Sequence, residues 1–543
     1  MVRSRFSFKG FWLALAFFSF LFVAAPALPA PAIDKADAER LRAVFTRILN
    51  HYKNAAEAQG GQMDMEGATT VEPADSYYAV TLPHITYVSS DGSRIELGMV
   101  AVNAAPGDKP DQWKMTVAIP TPIVDYDDSG TVRGIVDIGA QNLAGVWSEK
   151  FDGFIVINAH YKDISIKDTG NAPHIRIPDM TLSGNLAETA PGLWSGPLDC
   201  VISGLNVGLD KRADTTTIGK ITLSGAVKDY AVDSVSDYRE KVAALNESYK
   251  AGDPQGTSHA HALAFYNLVG NFLMTAWDGL SMNAALENFK ISYPSSPGTP
   301  GSSFSIGVAG MGMTISGFRS GNITLDATAQ YKDIKVTPPP EEFEATAPVN
   351  MNMDVGLSNL PLKEILDLGR TLLPAKEKAP EDGDLGALRV FLTLPQILTK
   401  SRSTATIRGF SLGNDHYNIA LKGDFTTNIK AQYSATGKAH AEITGLDYLV
   451  SSLRSRLKKP DLNKERKQTL DDMLRTLTVL QISGQKDTAK PARRLYDFEL
   501  NEQGQALLNG TDIGTLFPLA APVEEKPAAP PPKRKKGKPP PHR

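Results

Sequence analysis

Ala159-His160-Tyr161-Lys162-Asp163-Ile164 returns 170 residues later as Ala329-Gln330-Tyr331-Lys332-Asp333-Ile334, and a frayed copy follows at Ala431-Gln432-Tyr433. Shorter echoes surround these. Thr314-Ile315-Ser316-Gly317-Phe318 recurs as Thr406-Ile407-Arg408-Gly409-Phe410, with Val201-Ile202-Ser203-Gly204-Leu205 as a relative, and Thr181-Leu182-Ser183-Gly184 matches Thr222-Leu223-Ser224-Gly225. Several echoes together predict a tandem β architecture. The physical reason is that a half-buried strand must stack against another like it, because an open sheet edge invites aggregation.

Period-two alternation runs from about Tyr77 to Val232. Ile95, Leu97, Met99 and Ala101 alternate with Arg94, Glu96, Gly98 and Val100; Met115, Val117 and Ile119 do the same. The phase slips once, between Val132 or Gly134 and Ile135-Val136-Asp137-Ile138. Turn signals recur roughly every 8 to 12 residues, the rhythm of an antiparallel meander. The glycines of Gly310-Met311-Gly312-Met313 read as close sheet packing or bulges.

Helices interrupt the strands. Asp34 can cap a first helix whose stripe is Leu41, Val44, Phe45, Ile48, Leu49 and Tyr52, and Gly60-Gly61 ends it. A polar helix is expected over 237–250. The next, 259–280, leaves so few polar positions that it is expected to be covered on most sides. Its Phe265, Tyr266, Val269, Phe272, Leu273 and Trp277 are the candidate lid over an apolar groove. A pair at 360–373 and 385–399 follows, with Pro395 expected to kink or break the second helix. Residues 446–480 read as a helical hairpin, and 496–508 as a closing β-hairpin. The fold class is therefore α+β and β-rich: a long antiparallel tandem sheet with several amphipathic helices packed on it.

The ends are distinct from the body. Arg3, Arg5 and Lys9 precede an apolar run from Phe11 to Ala25, and Ala25-Pro26-Ala27 and Ala30-Pro31-Ala32 each offer a small-x-small cleavage site. At about 22 Å as a helix, the run falls short of the ~30 Å bilayer core, which favours a cleaved export signal over an anchor. The expected division is a signal at 1–32, a first β-rich half at 33–250, a second at 251–522 and a disordered tail at 523–543, in a periplasmic or secreted protein of a Gram-negative bacterium.

Charge and cysteine content narrow the function. The chain carries net −3, and losing Arg3, Arg5 and Lys9 takes it to −6. The last 21 residues hold seven Lys or Arg against two Glu, so +5, which leaves −11 on the body. An acidic body argues against a nucleic-acid partner. The single cysteine, Cys200, excludes an intramolecular disulfide and reads as a small buried hydrophobe within Leu198-x-Cys200-x-Ile202. Stability must then come from a large core.

No motif stands out for catalysis or for a cofactor. Asp125-Tyr126-Asp127-Asp128-Ser129-Gly130-Thr131-Val132 places oxygens at Asp125, Asp127 and Ser129 as a calcium loop would, but Val136 stands where a bidentate Glu is needed. Asp and Gly clustered between strands are what a tight hairpin turn requires, and the turn is the expected reading. His259 and His261 do not share a helical face. No GxSxG, SxxK, P-loop or GxGxxG pattern stands in the strand–turn–helix context that its chemistry requires. Trp147 and Trp194, each in Gly-x-Trp-Ser, read as core anchors before carbohydrate platforms. Lys533, Arg534, Lys535, Lys536 and Lys538 form a basic cluster that could tether the chain to an anionic membrane or cell-wall surface.

The export signal, the long Gly-punctuated alternating strands, the echoes and a terminal hairpin ending at Asn509-Gly510 resemble the AsmA-like group of bacterial envelope proteins. That resemblance spans most of residues 77–515 and carries over no site residue. It implies a long curved sheet with an apolar inner face and an association with lipid or envelope homeostasis. The resulting expectation is a non-enzymatic envelope protein that binds lipid or another hydrophobic ligand. The alternatives are a scaffold tethered by its tail and, more remotely, a divergent hydrolase, which would need a base within reach of a nucleophile in a polar cleft.

Overall fold

The computed structural model describes residues 33–513 apart from 59, 169–173, 210–211, 252–253, 296–299, 340–345, 372–381, 432 and 460–461. The expected signal at 1–32 and the tail with Lys533, Arg534, Lys535, Lys536 and Lys538 lie outside the described residues.

Chain order becomes spatial order. Helix α1 (Lys35–Ala58) is followed by β1 (Gln62–Glu66), β2 (Thr70–Pro73), β3 (Tyr78–Val88), β4 (Arg94–Pro106), β5 (Gln112–Ala118), β6 (Ile123–Tyr126), β7 (Val132–Ser148), β8 (Gly153–Asp168), β9 (His174–Asn185), β10 (Ala187–Ala190), β11 (Leu193–Leu209) and β12 (Arg212–Ala231). Helices α2 (Val232–Ala251) and α3 (Pro254–Thr275) lead to β13 (Gly279–Tyr293), β14 (Ser302–Ser316), β15 (Asn322–Lys332), β16 (Lys335–Thr337) and β17 (Asn350–Pro361). Helices α4 (Leu362–Arg370) and α5 (Asp382–Lys400) lead to β18 (Thr404–Gly413), β19 (Asn418–Thr427) and β20 (Ala435–Thr444). Helices α6 (Leu446–Leu457) and α7 (Lys464–Ser483) precede β21 (Gln485–Lys486), β22 (Arg493–Leu500), β23 (Ala506–Leu508) and β24 (Thr511–Asp512). Among the described residues every pairing is antiparallel, and all 24 strands belong to one sheet. Its backbone is the meander β3-β4-β7-β8-β9-β11-β12-β13-β14-β15-β17-β18-β19-β20-β22, with short strands filling the gaps between long ones. The expected boundary at residue 250 falls in the α2–α3 hairpin, and β12 and β13 on either side of it pair directly, from Thr215 opposite Ser292 to Lys228 opposite Gly279.

Directly paired residues share a face, so alternation along each strand becomes rows across the sheet. One row runs Ala159, Leu182, Cys200, Leu223, Ala284, Met311, Ala329, Met353, Phe410, Leu421, Ala441 and Tyr496. Both full copies of the opening echo lie in it, six strands apart. The opposite face is polar and laced with ion pairs. Arg408 reaches Asp326 at 2.6 Å and Asp354 at 2.8 Å, and Lys438 reaches Glu499 at 3.3 Å.

A transverse line crosses these strands. Asp163 of β8, Gly204 of β11 and Asn288 of β13, together with Asp333 in the two-residue link between β15 and β16, all adopt left-handed backbone, with φ of 49°, 71°, 54° and 59°. The strands between them place Gly139, Pro178, Gly219 and Gly307 at the same level. Ladder pairing skips this level on each of the seven strand junctions and resumes one or two residues away. A left-handed residue puts two successive side chains on one side, so the apolar phase jumps by three. On either side of left-handed Asp163, Tyr161 and Ile164 are both buried, whereas Lys162, Asp163, Lys332 and Asp333 are exposed. The glycines are needed here: a Cβ on Gly219 or Gly307 would lie 2.9 Å from the Cβ of Asn288 or Asp333, respectively.

The apolar face is closed at both ends. Asp34 caps α1 by accepting the N–H of Asp37 at 2.8 Å, and Leu41, Val44, Phe45 and Leu49 are buried. They join one cluster that runs through Tyr78, Val80, Val102 and Met115 as far as Leu182 and Ile202. At the far end, α6 and α7 bring Leu446, Val450, Leu474, Leu477 and Leu480 onto Ile419, Ala441, Ile443 and Tyr496 of the same face.

Two helix expectations are corrected. Of the two outcomes expected at Pro395, the break does not occur: helix α5 continues through Pro395 to Lys400, and it packs on α4, β17 and β19. Helix α3, read as covered on most sides, packs chiefly on α2 and α4, and most of its apolar side chains are only half-buried.

Candidate functional site

Among the described residues, the apolar face lies open between its two closures. Along the row from Cys200 to Leu421 its residues are half-buried or exposed, while Ile202 beside Cys200 still belongs to the buried N-terminal cluster. Large side chains on this floor are exposed: Met311 at 70%, Met282 at 57% and Leu198 at 49%, with Leu223 and Met313 also exposed. A second row, Leu198, Gly225, Met282, Met313, Ala327, Val355 and Ile407, lies beside the first. Neither row contains a charged side chain, a hydroxyl or an amide between β11 and β19. The only polar atom is the Cys200 thiol, whose pKa burial pushes up, so it stays neutral near pH 7. Methionine is flexible and polarizable, and an exposed methionine floor adapts to varied apolar partners. Eight strands at ~4.8 Å spacing make this floor about 34 Å long. Isolated exposed apolar residues are ordinary on a protein surface, but a contiguous field of them is a mark of binding.

Helices wall the strand ends beside the floor. Hairpins α2–α3 and α4–α5 leave the same end of the strands and touch each other, with Tyr266 Oη donating to the Leu366 carbonyl at 2.8 Å. The six lid candidates are not brought together as one surface. Phe272 stacks on Tyr238 with centroids 4.1 Å apart and meets Trp277 edge-on at 5.1 Å, and Trp277 meets Phe318 at 6.2 Å. Tyr266 is spent on α4, Phe265 is exposed, and Val269 and Leu273 are half-buried.

The calcium-like loop is a hairpin turn between β6 and β7. Asp127 accepts the N–H groups of Ser129 and Thr131 at 3.0 and 2.8 Å and the Ser129 hydroxyl at 2.6 Å; these bonds hold its carboxyl below the usual range. Asp125 takes a bidentate grip from Arg133, 2.8 and 3.0 Å. Its oxygens face a guanidinium, so a cation there would have to displace Arg133. Trp147 and Trp194 are buried, against Phe154 and Phe151 at 4.7 and 5.3 Å, and present no open sugar platform.

The polar face carries a cleft of about 650 Å³ lined by Arg408, Lys422, Asp424, Lys438, His440, Asp497 and Glu499. His440 Nδ1 lies 2.7 Å from Asp497 and its Nε2 lies 3.4 Å from Glu442. Both ring nitrogens therefore face carboxylates, an arrangement that serves a cross-strand charge ladder and leaves neither free for a hydroxyl nucleophile.

The sequence-based candidates lie on a helix expected over 259–280; the helix ends at Thr275, so Trp277 lies beyond it, and the floor residues Met282, Met311 and Met313 are not among the candidates. The available signal was Gly310-Met311-Gly312-Met313 itself. Its glycines fall on the polar face, where a Cβ on Gly312 would meet the Asn283 Oδ1 at 2.3 Å, and its methionines fall on the open one. No protein-family model matches the chain, and no curated protein matches it.

Proposed function

We propose that this chain is an exported, non-enzymatic envelope protein that holds the alkyl chains of a lipid, or of a similarly elongated apolar molecule, on the open sheet face. The observation that carries this reading is a contiguous apolar floor, nearly free of hydrogen-bonding groups, set between two closures of the same face. Such a floor offers dispersion and burial and nothing that would read a headgroup. One leaflet of the ~30 Å hydrocarbon core is about 15 Å thick, so an acyl chain laid across the strands covers three or four of them. Each buried CH₂ contributes roughly 0.8 kcal/mol before ordering costs. The export signal and the likeness to AsmA-like envelope proteins support the compartment.

Cys200 supplies the test, because it is the only cysteine and lies in the floor. Sodium oleate and dodecyl maltoside, which differ in headgroup and share an alkyl chain, should each slow alkylation of Cys200 by N-ethylmaleimide several-fold, and longer chains should slow it more. Unchanged alkylation with both reagents would overturn the reading.

A further inference from the structure

We infer that the transverse line through Asp163, Gly204, Asn288 and Asp333 is a hinge, and that the apolar face closes over its ligand by bending about it. The inference rests on the ligand reading above and adds how the site is regulated.

Three observations converge on the line. First, a β-sheet resists bending across its strands through its ladder of hydrogen bonds, and here seven successive junctions lack the rung at one level. Local opening follows the weakest hydrogen bonding. Second, the interruption is shared. Single bulges bend single strands; left-handed residues at every second position along the line, each set against Gly or Pro, give one straight fold line. Third, its sense is set by the phase jump. Two side chains occupy the polar side at the line, as with Lys162 and Asp163, while the apolar side has a gap between Tyr161 and Ile164. The crowded polar side is the outer side of the bend, so sharpening the bend brings the apolar facets together. Beyond the line the floor continues as a second facet with Phe289, Phe304, Ile291 and Ile306, and Phe289 meets Phe304 edge-on at 6.2 Å. The ligand would be gripped between a methionine facet and an aromatic one.

Left-handed backbone is costly for β-branched side chains and tolerable for Asp and Asn, which are the residues found where Gly is not. The line is therefore held open to movement at small strain, and a glycine replacing Asn288 should loosen it further.

The test places spin labels at Asn283→Cys and Lys290→Cys in a Cys200→Ala background. Both positions are exposed on the polar face of β13, on either side of Asn288 and about 24 Å apart along the strand. Sodium oleate is the probe, and its binding is read independently by native mass spectrometry. The expected result is a longer label separation in the oleate-bound protein, together with hydrogen exchange at the hinge residues about tenfold faster than two residues away in the free protein. An oleate adduct with an unchanged separation would overturn the hinge and leave the ligand reading standing. No adduct at all would remove the ligand reading, and the closure with it. Asn288→Gly in the same labelled background should broaden the distance distribution without oleate, and an unbroadened distribution counts against the hinge.

Discussion

The same six-residue pattern occurs in two settings. At 159–164 it lies in the closed N-terminal body, where Tyr161 is buried under a cluster that includes α1. At 329–334 it lies on the open face, where Tyr331 is half-buried. Strand, register, left-handed Asp and row are alike in the two copies. What differs is what stands above them. Local sequence builds the floor, and inserted elements decide whether the floor becomes a core or a surface. The N-terminal third uses its apolar face for stability, and the middle leaves that face available.

The contrast can be broken most directly by matched truncations. Leu41→Ala in α1 removes a fully buried side chain and should cost about 2–5 kcal/mol in denaturant unfolding. Met311→Ala on the open face should stay within about 0.5 kcal/mol. Equal losses would mean that the middle is a core as well.

A smaller effect sharpens the role of the shared fold line. Gly219→Ala forces a Cβ to within 2.9 Å of the Asn288 Cβ and should cost about 1–3 kcal/mol. Gly409→Ala, whose Cβ would meet nothing within 4 Å, should be nearly neutral in the same thermal melt. If the two variants melt alike, the line does not constrain side-chain size.

The smallest effect separates the two tyrosines. Burial pushes both phenols up, Tyr161 well above its ordinary range and Tyr331 less so. A phenol whose folded pKa is raised contributes stability that is intact below its unfolded value near 10, and that is lost as pH rises beyond it, because only the unfolded chain then ionises. Tyr161→Phe should therefore flatten the fall in stability above about pH 10, and Tyr331→Phe should flatten it less. The reverse order would contradict the assignment of closed and open regions.

Much of this was legible in the sequence. Alternation, turns and echoes predict the antiparallel tandem sheet, and the stripe beginning at Leu41 predicts α1 together with its Asp34 cap. The echo at Asp163 and Asp333 already held half of the fold line. The rest of that line was hidden, because only register brings Gly139, Pro178, Gly219 and Gly307 level with the left-handed residues. Exposure of the floor was hidden for a related reason. Met282 and Met311 have the same alternating pattern as buried Met180, and nothing local states which strands α1 and α6–α7 will cover. Apolar content misled in α3, where helix-on-helix packing at the strand ends leaves greasy side chains half-exposed.

The proposed function requires that the open floor, and no other surface, hold an apolar chain. Native mass spectrometry of protein purified without detergent tests it directly, with the wild type compared against the double variant Met282→Glu and Met311→Glu. The account predicts lipid-mass adducts on the wild type and none on the variant, with melting temperatures nearly equal because both side chains are exposed. A wild type free of adducts, or a variant that keeps them, would contradict it.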